Sequence, residues 1–238
     1  MNRQVLGAIG GLLGLAALAA WAIAGPDKKL GPRPQAERPS LALLTSLPLM
    51  FGESFDLDSG GSPALSRLEQ RYNVQPIGVA DAASLSGRKL LLMAHPRAQP
   101  AEVLVELDRW VRGGGRVLLL ADPKLDWPSE RPLGDILRPP PAFADTGLLN
   151  HWGLNLSGAV SDGPVRAGNG KLVIMTSAPG RLASRRCELA GEGFVARCRI
   201  GRGQATVIAD ADFLNVDDES RQNNLDLLID ELARLDSR

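Results

Sequence analysis

The stretch KLLLMAHPRAQPAEVLVELDRWVRGGGRVLLLAD, residues 89–122, contains two short apolar runs separated by an amphipathic segment. Such runs, here at 89–94 and 116–121, are typical of strands that are buried on both faces of a sheet. Between them, apolar residues recur at helical spacing over 100–112, and three consecutive glycines follow. The pattern predicts a βαβ unit, in which a right-handed crossover helix joins two parallel strands.

Elements of the same kind flank this unit on both sides. The apolar run 41–45 predicts a first buried strand, and a helix is predicted over 63–72, with Ser62 as its N-cap. Residues 73–77 predict a short edge strand; 204–209 predict a last buried strand and 223–235 a closing helix. Residues 40–238 are therefore expected to form an α/β domain with an open, mostly parallel sheet and helices on both faces.

The last third of the chain predicts an antiparallel hairpin insertion. Gly191-Glu192-Gly193 is a turn signal, and a turn centred on Glu192-Gly193 makes Cys187 and Cys198 direct cross-strand partners. Because a cross-strand pair can bring two Cβ atoms within disulfide reach, we expect a structural disulfide, with two free buried thiols as the alternative. No metal site is predicted, since two cysteines and two distant histidines lack the spacing of zinc ligands.

The N-terminal segment has the strongest compositional signal. Residues 5–24 are twenty residues without a charge, which is the length that crosses a bilayer as a helix. We expect residues 1–25 to form a transmembrane anchor that attaches the chain to the membrane. The alternative is a signal segment cleaved after Ala24, because residues 22–24 form a small-x-small tripeptide.

A Pro-rich linker is predicted over residues 26–39, between this segment and the α/β domain. The expected location is the inner membrane, with a single pass and the C-terminal domain in the periplasm. A cytoplasmic-facing domain is the alternative, because Lys28 and Lys29 follow the apolar run while Arg3 alone precedes it.

Charge balance excludes one class of partner. Lys and Arg together number 27, as do Asp and Glu, so the formal net charge is zero. No basic stripe rises above this balance, and a nucleic-acid partner is therefore not expected. The sequence also lacks Walker A, Gly-x-Gly-x-x-Gly, His-Glu-x-x-His and EF-hand patterns, so we expect no cofactor.

Polar residues follow the predicted buried strands at their carboxyl ends, the edge where open α/β sheets bind ligands. These candidate ligand-binding residues are Ser46, His95, Asp122, Asp210 and Asp212. The first three offer a nucleophile, a base and an orienting group, although no Gly-x-Ser-x-Gly elbow is present. The last two could bind a cation, whereas carboxylates at such positions more often cap helices and turns. No catalytic residue is assigned.

The segment 122–145 contains six prolines and no apolar periodicity. Such a sequence predicts a long surface loop. Loops of this length in compact domains are either functional lids or disordered segments, and the sequence does not choose between the two.

Several of these motifs together resemble a known family. Residues 110–115 (WVRGGG), 119–123 (LLADP) and 201–214 (GRGQATVIADADFL), with Asn223-Asn224, are similar to the auxiliary proteins of GldG-type ABC transport systems. Those proteins carry an extracytoplasmic domain similar to class I glutamine amidotransferases. The resemblance covers roughly 40–122 and 201–235. It implies a flavodoxin- or amidotransferase-like sheet and a membrane-protein partner such as an ABC transporter subunit.

The amidotransferase resemblance does not extend to catalysis. In true amidotransferases, the strand that corresponds to the one ending at Asp122-Pro123 leads into a nucleophilic cysteine, and no cysteine is near this position here. The resemblance therefore implies a non-catalytic accessory or binding domain, tethered to the membrane and facing the periplasm. The alternative is a hydrolase or transferase whose site lies at the carboxyl ends of the strands.

Overall fold

The computed structural model of the chain describes residues 29–51, 61–159, 163–167, 172–216, 221 and 223–237. These residues form helices, strands and three short 3₁₀ turns, at Gln35–Glu37, Gly191–Gly193 and Asp212–Leu214. The helices are α1 (Pro63–Glu69), α2 (Ala101–Arg112), α3 (Leu148–His151) and α4 (Asn224–Asp236). The strands are β1 (Ser40–Thr45), β2 (Asn73–Pro76), β3 (Leu90–Ala94), β4 (Arg116–Leu120), β5 (Leu154–Ser157), β6 (Gly163–Ala167), β7 (Leu172–Thr176), β8 (Arg181–Ser184), β9 (Glu188–Ala190), β10 (Val195–Ile200) and β11 (Gly203–Ile208).

The main sheet has seven strands in the order β2-β1-β3-β4-β11-β10-β9. The first five are mutually parallel, while β10 and β9 continue the sheet in antiparallel pairing. Leu92, Leu118 and Thr206 are aligned in neighbouring strands, which fixes the register of the centre. The predicted α/β fold with a mostly parallel sheet is thus confirmed.

Helices cover both faces of this sheet. On one face, Leu107 of α2 belongs to the same buried cluster as Met93 and Leu119. Because successive strand residues point to opposite faces, Leu92 and Leu118 face the other side. There α1 contacts α4, and α4 packs against β4 and β11. Both faces of the central strands are therefore buried, which explains why their sequences are continuously apolar.

The predicted βαβ unit consists of β3, α2 and β4, and its two strands are parallel neighbours. At the turn from α2 into β4, a Cβ on Gly115 would lie 2.4 Å from the Trp110 ring, so only glycine fits there. The predicted cap of α1 also forms, because the Leu65 amide donates to Ser62 Oγ at 3.1 Å.

The hairpin predicted around Glu192-Gly193 is formed by β9 and β10. Its turn is a 3₁₀ turn in which Glu192 has a φ of 55°. Cys187 and Cys198 are joined by a disulfide with their Cα atoms 4.5 Å apart, which confirms the predicted pair. Two further antiparallel pairs, β5 with β8 and β6 with β7, lie between β4 and β11 in the sequence.

Residues 31–39, within the predicted linker, pack against the α/β domain. The Arg33 amide donates to the Gln70 carbonyl at 2.9 Å, and its guanidinium lies 2.8 Å from the Asp236 carboxylate. The same guanidinium stacks 5.3 Å from the centre of the Tyr72 ring. Residues 31–238 accordingly form one compact unit.

The predicted membrane span, residues 5–24, lies outside the described residues. Among the residues that are described, no helix is both long and apolar enough to cross a membrane. The longest of them, α4, has 13 residues and extends about 20 Å, compared with about 30 Å for a bilayer core. This finding contradicts the predictions of attachment through residues 5–24, of a single-pass inner-membrane location with a periplasmic domain and of an ABC transporter subunit as partner.

Candidate functional site

The carboxyl ends of β1, β3, β4 and β11 lie along one edge of the sheet, and the predicted site residues follow them. His95, Asp122, Asp210 and Asp212 come together there and are 0–3% exposed; we call these four residues the strand-end cluster. Ser46 lies beside the cluster, but its hydroxyl donates to the backbone carbonyl of His95 at 2.5 Å. The proton of the Ser46 hydroxyl is therefore used in a hydrogen bond to the backbone.

Asp122 binds backbone amides with both of its carboxylate oxygens. Its Oδ1 accepts from the Lys124 amide at 2.8 Å, and its Oδ2 accepts from the Ala211 and Asp212 amides at 2.8 and 3.3 Å. These bonds connect the segment after β4 to the segment after β11. Asp122 thus acts as a clamp between two neighbouring strand ends.

Asp210 is held by a residue that the sequence did not indicate. Thr176, the last residue of β7, donates its hydroxyl to Asp210 Oδ1 at 2.7 Å, and the Phe213 amide donates to the same oxygen at 2.9 Å. Asp210 Oδ2 is buried and has no hydrogen-bond partner among the described residues. A threonine at the end of a short strand carries no motif that would reveal this contact.

A long loop closes this edge of the sheet; residues 123–147 are called the covering loop. The Asp126 amide donates to both oxygens of Asp212, at 3.1 and 2.8 Å, and the Phe143 amide donates to the Asp122 carbonyl at 2.7 Å. The Pro140 carbonyl lies 2.9 Å from His95 Nε2. The segment predicted to be either a lid or disordered is therefore ordered over the cluster and bonded to it.

His95 has an unusual backbone and a defined ring tautomer. Its φ is 47°, in the left-handed region that non-glycine residues seldom adopt. Because the Pro140 carbonyl can only accept, the contact places the ring proton on Nε2, and the buried Nδ1 has no partner among the described residues. Burial lowers the pKa of His95, so the ring is neutral at pH 7.

Three carboxyl groups are too close to be charged together. Asp122, Asp210 and Asp212 each place one carboxylate oxygen within 4.8 Å of the other two. Burial, followed by the charge of Asp122, raises the pKa of Asp210 well above its ordinary value and raises the pKa of Asp212 to about 7. Burial also raises the pKa of Asp122. The group is therefore partly protonated at neutral pH.

The hydrogen bonds identify the carboxyl group that best holds a proton. Five of the six carboxylate oxygens in the trio accept bonds from amides or a hydroxyl, and Asp210 Oδ2 is the sixth. A proton on this oxygen turns an unsatisfied acceptor into a donor toward the neighbouring carboxylates. The trio is also the set of groups that could hold a cation, but most of its oxygens are already used by backbone amides.

Ser46, His95 and Asp122, which the sequence offered as nucleophile, base and orienting group, do not form a catalytic triad. The Ser46 hydroxyl contacts a carbonyl, the His95 ring contacts Pro140, and the Asp122 carboxylate contacts amides. Nucleophile, base and orienting group thus lie near one another without the hydrogen bonds that would relay a proton between them.

No family model and no curated protein matches the chain. Solved structures share the fold. The mmIFT52 N-terminal domain is 14% identical with a TM-score of 0.53, covering 81% of this chain and 96% of that domain. Cytoplasmic protein STM3548 from Salmonella typhimurium is 9% identical with a TM-score of 0.51, covering 82% of this chain and 98% of that protein.

An enzyme also contains a similar domain. The exo-β-1,4-mannosidase from Opitutaceae bacterium strain TAV5 is 16% identical with a TM-score of 0.51, and the match covers 82% of this chain. The chain spans about a third of that enzyme, 36% of its length. At these identities, the similarities describe the fold alone.

Proposed function

We propose that this chain is a non-catalytic binding domain built on a flavodoxin- or amidotransferase-like sheet. The observation that carries the proposal is the closure of the strand-end cluster by the covering loop. In open α/β sheets this edge receives the ligand, yet here backbone amides and the Pro140 carbonyl bind most of the polar atoms of the cluster. The cluster then serves as an internal hydrogen-bond network that fixes the loop.

The cysteines support the same proposal. Class I amidotransferases use a nucleophilic cysteine, but Cys187 and Cys198 are the two cysteines of this chain and are bonded to each other. Neither lies at the carboxyl end of a parallel strand. If the sheet is amidotransferase-like, as we propose, it has no free thiol for that chemistry.

One observation favours a hydrolase or transferase as the second candidate. His95 adopts a positive φ at a strand end, and strained residues of this kind concentrate at functional sites. For such an enzyme the covering loop would have to open, because the cluster is buried beneath it. The two candidates thus differ in how readily the loop releases the cluster.

Amide hydrogen exchange measured by NMR distinguishes these candidates. We expect the amides of Asp126, Phe143 and Ala211 to exchange only with global unfolding, because each is bonded within the closed edge. The amide of the exposed Leu137, bonded to Asp135 on the surface of the loop, is the control and should exchange much faster. Exchange of Asp126 and Phe143 as fast as that of Leu137 would contradict the proposal and favour a mobile lid.

An activity screen tests the same point directly. The purified chain would be assayed with L-glutamine and with p-nitrophenyl acetate, phosphate, β-mannoside and β-galactoside. We expect no turnover above background. Turnover that is lost in His95→Gln, a variant able to keep a donor toward Pro140, would overturn the non-catalytic proposal.

A further inference from the structure

A cleft lies at the opposite end of the sheet, where β4 and β11 begin and β10 ends. Its volume is about 600 Å³, within the range of small-molecule sites. Six arginines line it, with Glu188 as the single carboxylate among its lining residues. We call this site the arginine cleft; its arginines are Arg116, Arg186, Arg197, Arg199, Arg202 and Arg234.

The charge of one of these arginines, Arg197, is neutralised by the buried Glu231. Arg197 Nε donates to Glu231 Oε2 at 2.9 Å, a second bond joins its NH2 group to Glu231 Oε1, and Glu188 lies 3.4 Å away. Arg234 shares Glu231 at 3.7 Å. Six guanidinium groups thus face two carboxylates, which leaves an excess of positive charge in a chain whose net charge is zero.

Two other arginines are oriented by helix ends. Arg116 donates to the Asp236 carbonyl at 3.2 Å, and Arg202 donates to the Gly113 carbonyl at 3.1 Å. Both carbonyls belong to the C-terminal ends of helices, where the backbone carries partial negative charge. Each arginine keeps further N–H groups for a ligand, because a guanidinium has five donors.

The remaining two, Arg186 and Arg199, are exposed and adjacent in sequence to the two cysteines of the disulfide. Arg186 precedes Cys187 and Arg199 follows Cys198, so both guanidinium side chains that line the cleft come from residues next to the cross-link. Neither side chain has an acidic partner in the described part of the chain. Like charges without acidic partners thus line the same cleft, an arrangement that an anion would stabilise.

We propose that the arginine cleft binds a small organic anion with two or more phosphate or carboxylate groups. Arginine forks bind both groups in bidentate fashion, and several forks converging in a cleft of this size favour a compact ligand with more than one such group. The inference rests on the proposed binding function and gives it a ligand class. It does not depend on whether the opposite edge of the sheet is closed.

Isothermal titration calorimetry at low salt with inorganic pyrophosphate and with citrate tests this site. We expect saturable one-to-one binding of at least one probe. Arg199→Gln and Arg186→Gln should each weaken it about tenfold, the loss expected for a charge-assisted hydrogen bond. Arg185→Gln is the matched control: the neighbouring exposed arginine does not line the cleft, and its loss should change affinity less than about twofold.

The two probes separate the ligand classes, since tighter binding of pyrophosphate assigns phosphate groups and tighter binding of citrate assigns carboxylates. Equal losses in Arg185→Gln and Arg199→Gln would show diffuse attraction and overturn the site, as would absence of binding by both probes. Retention of duplex DNA by the same arginines without small-anion binding would also overturn it. Thermal melts of each variant confirm folding, and hydrogen exchange at the closed edge reports separately on the non-catalytic proposal.

Discussion

The polar residues at the two ends of the main sheet differ in burial and in their hydrogen-bond partners. At the carboxyl edge, Asp122 and Asp212 are buried and bonded to the chain's own amides. At the amino edge, Arg186 and Arg199 are exposed and have no acidic partner among the described residues. Burying a polar group is costly unless it has an internal hydrogen-bond partner, whereas exposed charges remain available to a ligand. The difference indicates which edge holds the fold together and which edge is free to bind.

The largest expected effect comes from removing the clamp at the closed edge. Asp122→Ala leaves the Lys124, Ala211 and Asp212 amides without their acceptor, which should lower the free energy of unfolding by about 3 kcal/mol or more. Urea denaturation followed by circular dichroism measures the loss. Asp126→Ala is the control, because its side chain is exposed and its amide contact is retained. Similar losses in both variants would show that the network is not the cause.

The second-largest effect on stability is expected from removing the disulfide next to the arginine cleft. The double variant Cys187→Ser, Cys198→Ser removes a cross-link over a sequence separation of 11, which is expected to cost about 2–3 kcal/mol of stability. The same denaturation experiment on the wild-type chain with reductant provides the control, and the two midpoints should agree. Anion affinity should fall in both cases, because the segments that carry Arg186 and Arg199 lose their cross-link. Unchanged affinity would show that the disulfide does not organise the cleft.

A smaller effect, opposite in sign, is expected from Asp210→Asn. A carboxyl whose pKa is raised on folding stabilises the protein below its ordinary pKa of 3.8, and this contribution is lost as the pH rises through the folded-state pKa, about 7 for Asp212. Asparagine imitates the protonated form, so Asp210→Asn should be more stable than the wild type by about 1 kcal/mol at pH 8 and equal to it near pH 4.

Thermal melts from pH 4 to pH 8 measure this difference. Glu69→Gln serves as the control, since its exposed side chain ends α1 near the start of β2, at the other end of the sheet, and should leave the pH profile unchanged. A destabilised Asp210→Asn at pH 8 would contradict a shared proton. Stabilisation of the wild type but not of the variant by added Mg²⁺ or Ca²⁺ would point to a cation in the cluster instead.

The smallest effect on stability is expected from replacing a single arginine of the arginine cleft. Arg199→Gln relieves repulsion among the cleft arginines, so stability should rise by no more than about 0.5 kcal/mol at low salt and return to the wild-type value at high salt. Melting temperatures at two ionic strengths provide the measurement, with Arg185→Gln for comparison. A loss above about 1 kcal/mol would mean that Arg199 is a structural residue.

The sequence predicts the centre of the fold well because the central strands are buried on both faces and therefore continuously apolar. The disulfide could also be predicted from the sequence, since a turn at Glu192-Gly193 defines the partner of each cysteine. Strand β6 was not predicted: its residues, GPVRA, contain a glycine and a proline, and its pairing with β7 supplies the stability that local propensity lacks.

The candidate site was predicted in position but not in its contacts. Because the carboxyl ends of parallel strands meet at one edge, the sequence placed His95, Asp122 and Asp210 together. The closing bonds come from backbone atoms such as the Pro140 carbonyl and the Asp126 amide, which any residue type can supply. The arginine cleft was missed because its residues are scattered from 116 to 234 and converge only in the folded chain.

The two outer strands of the main sheet have a consequence for behaviour at high concentration. At one border, β2 ends in Pro76, which has no N–H to offer an incoming strand. At the other, β9 has three residues and is anchored next to the Cys187 cross-link, so it offers a docking strand little length. Both borders thus resist recruitment of another chain's strand, the first step of edge-to-edge aggregation.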